Sequence, residues 1–227
     1  MATKRLHVCY AGTLAGATES EVLSMALGRS SNWLKKLFWT YSNDSVNFST
    51  RTGYYLIKAV RILKDKGVTP DQLYFSLWGN ISPINSDQIL QEGVEAFFQV
   101  DGYLSKDESL KRLEKADVLF LPQEMSATKE HRSLFIPGKL YEYLNARKPI
   151  LSLSEPSDCQ DIIRESGLGI ICSPNDPQDI ADKILLLLNK TNPIESMNIN
   201  EALIESYSFK NKAKRIAEIF NEVLEND

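Results

Sequence analysis

Six short apolar runs, each followed by a stretch of helical periodicity, constrain this chain more than any other feature. Arg5 to Tyr10, Leu73 to Trp78, Phe97 to Val100, Val118 to Leu121, Ile150 to Leu153 and Gly169 to Cys172 read as strands. Helical patterns cover Tyr54 to Lys66, Ser86 to Glu95, Lys106 to Lys115, Lys139 to Ala146, Gln160 to Glu165 and Ile180 to Leu188. Alternation of this kind implies an α/β fold built on a parallel sheet with helices on both faces. A chain of 227 residues, 43% of them hydrophobic, can bury a sizeable core as one unit. A single domain over 1–227 is therefore expected, with an insertion near 15–50 and a C-terminal helix near 208–225, amphipathic from Ala213 to Leu224.

Ligands of such sheets sit beyond the carboxyl ends of the strands. Gly12, Gly79, Gly102 and the Pro137-Gly138 helix start all follow predicted strands, so they are expected to converge on one crevice. The segment SLFIPGKLYEYLNARKPI, Ser133 to Ile150, carries the most chemistry. Pro137 suits a first helical turn, where its missing N–H has no partner to lose, and Gly138 lets a ligand approach the backbone. The unpaired amides of that turn attract anions. Lys139 adds a positive charge beside them. Glu142, three residues on, shares its face, where a carboxylate can accept hydrogen bonds from paired sugar hydroxyls. Taken singly, Lys139 and Glu142 also suit a solvated helix face; the combination points to a phosphorylated sugar.

Ser133, Pro137, Lys139, Glu142 and Tyr143, followed by Lys148-Pro149-Ile150, resemble the donor-site helix of GT-B glycosyltransferases, the retaining group 1 (family 4-like) enzymes that use nucleotide-diphosphate sugars. Tyr10-Ala11-Gly12-Thr13-Leu14 resembles the first strand and loop of the donor-binding half, and Asp101-Gly102-Tyr103-Leu104 with Ala116-Asp117-Val118 its next characteristic segment. The resemblance covers nearly the whole chain, and only as the second, Rossmann-like half of a GT-B fold. It implies a nucleotide-sugar site of Gly12, Thr13, Arg51, Gly79, Tyr103, Leu104, Pro137, Gly138, Lys139 and Glu142. Glu142 would hold the ribose hydroxyls, and backbone groups near Tyr103 and Leu104 would meet the base. Arg51 and Lys139 would be the catalytic residues, stabilising the diphosphate leaving group without a metal or other cofactor. Arg51 also has a physical argument behind it: a cation at a helix N-terminus opposes the macrodipole unless an anion is near.

This sequence departs from the family pattern twice. Many retaining members carry a second glutamate where this chain has Leu134, leaving Glu130 or Glu124 as candidates to replace it. The family also joins Gly12-Thr13 to the position of Arg51 by a short loop. Here Ser31 to Trp39 intervenes, with Trp33, Leu34, Leu37 and Phe38 between cations. That stretch reads either as a helix against a protein core or as a peripheral membrane contact at the inner face, near a lipid-linked acceptor. Because the chain opens at the first donor-half strand, the resemblance implies a missing N-terminal acceptor domain and no activity alone. Ser208-Phe209 and the last helix resemble the terminal helix that packs toward that domain.

Other classes fit poorly. The formal charge of −4 argues against nucleic acid as the main partner. Cys9, Cys159 and Cys172 are odd in number and far apart, which suits buried thiols in a reducing compartment. With only His7 and His131, a histidine-rich metal site is not expected. Gly12 and Gly16 do not make the dinucleotide fingerprint, and P-loop spacing is absent. Ser133 beside His131 lacks a nucleophile elbow. Asp117 reads as a helix-to-strand boundary residue. No apolar run approaches the length that spans a bilayer and nothing before the first strand reads as a signal peptide, so a cytoplasmic location is expected. Two alternatives stay open beside the transferase: half of a nucleotide-sugar epimerase, and a non-catalytic nucleotide-sugar-binding module.

Overall fold

The structure is a computed structural model that describes residues 5–26, 46–47, 49–126, 132–189 and 193–225. The expected helix over 31–39, together with Glu130 and His131, lies outside the described residues. Strands β1 (Leu6–Leu14), β3 (Leu73–Ile81), β4 (Phe98–Asp101), β5 (Val118–Pro122), β7 (Ile150–Leu153) and β8 (Gly169–Cys172) form one sheet in the order β4-β3-β1-β5-β7-β8, every pair parallel. Two short strands, β2 (Val46–Asn47) and β6 (Met125–Ser126), pair antiparallel beside it. Renumbered along the chain, the main order is 3-2-1-4-5-6, the doubly wound arrangement. The winding reverses between β1 and β5, and that reversal opens a crevice beyond their carboxyl ends.

The helices are α1 (Glu19–Ala26), α2 (Tyr54–Asp65), α3 (Pro83–Gln91), α4 (Lys106–Lys115), α5 (Lys139–Ala146), α6 (Asp158–Glu165), α7 (Pro177–Leu188), α8 (Glu201–Ser206) and α9 (Phe209–Glu225). Successive strand residues point to opposite faces, so each strand feeds two cores. On one face Val8, Tyr10, Phe75 and Phe120 pack with Leu56, Val60 and Leu63 of α2 and Ile180 and Ile184 of α7. On the other, Cys9, Leu119 and Leu121 pack with Leu113 of α4, Leu140, Tyr143 and Leu144 of α5, and Ile163 of α6. All three of these α5 side chains are buried, each contributing about 1.5–3 kcal/mol. The Tyr143 hydroxyl donates to the Phe120 carbonyl at 3.2 Å, which fixes the helix against β5.

Several expected boundaries move, among them the starts of α6, at Asp158 rather than Gln160, and α7, at Pro177 rather than Ile180. β1 and β3 run on past Tyr10 and Trp78, pairing residue for residue from Leu6 with Leu73 to Leu14 with Ile81. Gly12 and Gly79 therefore lie within strands rather than after them. The apolar signal stops early because Ala11-Gly12-Thr13 is small and polar, yet the ladder continues. Helix α3 begins at Pro83, not Ser86, because proline presets the first helical turn. Glu95–Phe97 form a 3-10 turn before β4, so Glu95 is outside the helix and Phe97 outside the strand. Part of the expected insertion is α1, whose entry is held by Thr18 and Glu21 and whose Val22 is buried.

Candidate functional site

Six of the helices start with a side-chain cap: Thr18 for α1, Ser105 for α4, Ser157 for α6, Asp176 for α7, Asn200 for α8 and Ser208 for α9. Helices α2 and α5 start at Gly53 and Gly138 with no side-chain cap, as α3 does at Ser82. At α2 the Gly53 amide is already taken by Asn85 Oδ1, whereas the leading amides of α5 have no side-chain acceptor and suit an anion. A Cβ built on Gly138 would meet nothing within 4 Å, so the start of α5 is open to a ligand.

Lys139 turns inward from this helix start. Its Nζ donates to the Tyr10 hydroxyl at 3.0 Å and lies 4.2 Å from the centre of the Tyr10 ring. The Tyr10 hydroxyl in turn donates to the Thr13 carbonyl at 2.5 Å. Gly12 makes the room: at φ +142°, a Cβ there would sit 2.5 Å from Lys139 Nζ. Burial, then the nearby Arg51 charge, push the Lys139 ammonium down to about 8, against a smaller opposing pull from Glu142. The Tyr10 phenol is pushed up to about 12 by burial.

Arg51 ends a 3-10 turn, Ser49–Arg51, held by three contacts. Thr50, which is buried, donates its hydroxyl to the Gln123 carbonyl; Ala15 N donates to the Arg51 carbonyl at 3.2 Å; and the Thr52 hydroxyl reaches Ser49 O at 2.7 Å. The guanidinium lies 3.7 Å from Glu124 Oε2.

From Lys139 a line of glycines leads across the sheet. Gly12 pairs with Gly79, whose φ is +113° and whose hypothetical Cβ would stand 2.4 Å from the Gly12 carbonyl oxygen. Gly79 N donates to Gly102 O at 3.1 Å. Tyr103 follows, 81% exposed, while the Leu104 side chain joins the core and leaves its backbone for contact. Glu142 is exposed one turn into α5 and makes no hydrogen bond or ion pair among the described residues. Pro137 is half-buried at the α5 entry, and Thr13 is exposed. Leu134 is 73% exposed, and Ser133 bridges to Ser157.

Two residues that organise this shelf went unassigned in the sequence. Asn85 is buried; its Oδ1 accepts from Gly53 N at 2.9 Å, and its Nδ2 donates to Leu14 O at 3.2 Å and Ala15 O at 3.1 Å. One amide thereby ties the end of β1 to the start of α2. Gln123 does the same between β5 and β7: its N donates to Leu153 O at 3.0 Å and its Nε2 reaches Cys159 Sγ at 2.9 Å. Neither stands in a motif, since both act through strands distant in sequence. Concavities of about 740 Å³ (lined by Arg164, Gly169, Met197 and Asn200) and about 340 Å³ (Tyr54, Lys58, Gln88 and Glu92) lie elsewhere. The Lys139 face is an open shelf. Among the described residues no three His, Cys, Asp or Glu side chains gather as a metal would need, and no helix is long and apolar enough to cross a membrane.

The sequence of residues 49–190 matches the family described as glycosyl transferases group 1. The chain belongs to that family. The matched stretch starts beside Arg51 and includes Lys139 and Glu142, while Gly12 and α9 lie outside it. No curated protein matched in sequence. Among solved structures, HepE of Anabaena in complex with UDP aligns at 15% identity with a TM-score of 0.59, over 96% of this chain and 49% of that one. TarM of S. aureus, in a complex that includes UDP, aligns at 16% identity and TM-score 0.58, over 96% and 36%. A putative UDP-N-acetylglucosamine 2-epimerase of Listeria monocytogenes aligns at 11% identity and TM-score 0.55, over 99% and 46%. The chain thus spans half or less of the length of these structures. At such identities the likeness concerns the fold alone, an α/β Rossmann-like sheet; the family assignment rests on the sequence match.

Proposed function

We propose that this chain is the donor-binding half of a retaining glycosyltransferase, working in the cytoplasm on a nucleotide-diphosphate sugar. The observation that carries the reading is the Lys139 ammonium, drawn inward against Gly12 and Tyr10 with the Arg51 charge close by, at the uncapped start of α5. Two cations close enough to act on one another, beside amides without a side-chain acceptor, attract an anion of high charge density, and a diphosphate supplies one. Glu142, exposed on the next turn, then holds the ribose hydroxyls, and the base lies over Gly102 toward Tyr103. The UDP in the HepE and TarM complexes favours uracil as that base.

In transfer, the bond between the anomeric carbon and the β-phosphate oxygen breaks, and a bond from that carbon to an acceptor oxygen forms as the acceptor's proton passes to the departing phosphate. Negative charge collects on the departing diphosphate. Lys139, Arg51 and the α5 amides stabilise it in the transition state more than in the bound donor, which is how they raise the rate without a metal. The acceptor needs a second wall. The exposed stripe Ile216, Ile219, Phe220 and Val223 on α9 supports an upstream domain as that wall.

The test is calorimetric titration of UDP-glucose into the chain with and without chelator, then product analysis once an upstream acceptor domain is supplied. Binding that survives chelation, no transfer by the chain alone and transfer on reconstitution are expected. Binding lost to chelator refutes the metal-free site, and brisk transfer by the chain alone refutes the half-enzyme reading. Inversion of free donor sugar without transfer moves the assignment to an epimerase, and donor binding with no reaction after reconstitution to a binding module.

A further inference from the structure

Glu124 stands where the proposed site should not want a negative charge. Its side chain is only 9% exposed, and the Arg51 guanidinium lies 3.7 Å from its Oε2. That oxygen is buried and has no hydrogen-bond partner among the described residues. The position is built rather than incidental. Gln123, next in the chain, is anchored through its backbone to Leu153 and Thr50 and through its amide to Cys159. The β2–β6 pairing then joins Asn47 to Met125, one residue beyond Glu124. The strand ends that deliver Arg51 also deliver Glu124.

An anion bound by Arg51 is within about 5–8 Å of this carboxylate, one guanidinium and two contacts away, and the carboxylate itself is held out of solvent. Resting on the donor site proposed above, we propose that Glu124 is a charge-discriminating residue: it disfavours a free terminal phosphate, and so makes the site prefer a diphosphate whose terminal phosphate is esterified to a sugar. The chemistry follows from charge count. An esterified terminal phosphate carries one negative charge. A free one carries about one more at pH 7, because its second proton leaves near pH 6. The donor therefore meets less repulsion from Glu124 than the nucleoside diphosphate left after transfer, and the spent product leaves more readily. Arg51 and Lys139 attract both ligands; Glu124 supplies the difference, by opposing the ligand that carries more charge.

The experiment measures affinities of the full chain and of Glu124→Gln for UDP-glucose and UDP at pH 7, with melting temperatures alongside. The expected result is that both ligands bind more tightly in the variant, UDP gaining about three- to tenfold more than UDP-glucose does, so that the ratio of the two shifts toward UDP. An unchanged ratio, or one shifted toward the sugar, overturns the proposal, even if both affinities fall together as they would for a purely structural role. Glu124→Asp retains the charge and is expected to keep the wild-type preference; loss of preference in Asp as in Gln also overturns it. Should Gln fail to fold, Glu124→Ala, which also removes the charge, is measured in its place with the same expected and overturning ratios. Failure of the wild-type chain to bind either ligand refutes the donor site itself, a distinct result from binding with no change in ratio.

Discussion

Lys139→Met should make the unliganded protein more stable while abolishing its affinity for a diphosphate. The Lys139 ammonium falls from the usual lysine value of 10.5 to about 8, chiefly because it is buried. Each pH unit of such a difference corresponds to about 1.4 kcal/mol, so keeping the charge in the empty site costs at most about 3 kcal/mol at neutral pH. Methionine fills nearly the same volume without charge and loses the hydrogen bond to Tyr10, worth about 1 kcal/mol. The net gain is at most about 2 kcal/mol near pH 7, or about 4–8 °C in melting temperature for a chain of this size. The sign of the pH dependence is set by the lowered folded value: between pH 8 and 10.5 the unfolded chain holds more protons, so wild-type stability rises with pH relative to the variant. By pH 10.5 the advantage of methionine should shrink below about 1 kcal/mol. Urea unfolding of both proteins at pH 7, 9 and 10.5, with UDP titrations at pH 7, measures each part. A variant less stable at pH 7, or one whose advantage does not change with pH, refutes the claim that the charge is held at a cost until an anion arrives.

Glu142→Gln should weaken UDP-glucose binding by about 1–3 kcal/mol in calorimetry and leave the melting temperature alone, because the side chain is exposed and makes no contact that supports the fold; unchanged affinity removes it from the site. Gly79→Ala should cost at least about 2 kcal/mol of stability, since its Cβ would lie 2.4 Å from the Gly12 backbone at a φ that alanine avoids. Gly12→Ala carries a similar backbone strain, but its neighbour is the movable end of Lys139, so diphosphate affinity should fall more sharply than for Gly79→Ala at equal stability loss; the reverse order would separate Gly12 from the site.

The strand–helix alternation was legible wherever local chemistry and tertiary packing agree. Ser105 and Glu108 form a capping box, and α4 starts where its pattern starts. β7 and β8 are short apolar runs with breakers on either side, and their limits match. α5 was legible from Pro137-Gly138-Lys139 because proline, glycine and charge all act within one turn. The ends of β1 and β3 were not legible: their extension depends on Gly12 lying against Gly79, a contact between strands that neither segment announces. Asn85 looks like any polar helix residue until Leu14, Ala15 and Gly53 are brought to it. In the sequence Glu124 stands only as a possible replacement for the glutamate that Leu134 displaces. Its approach to Arg51 depends on Thr50 meeting Gln123 across the chain.

Helix α9 has a different relation to the rest of the molecule. Seventeen residues long and solvent-exposed along nearly its whole length, it has little beneath it among the described residues but α8, reached through Asn211, Lys212 and Tyr207. Surface pairs such as Arg215 with Glu218 and Glu222 add only tenths of a kcal/mol each, and a helix of this length is near the limit of what stands alone in water. Its amides should exchange with solvent through local opening, orders of magnitude faster than those of β1, β3 and β5 at the centre of the sheet. A domain seated on its apolar stripe would slow that exchange, coupling the folding of the last helix to assembly of the cleft.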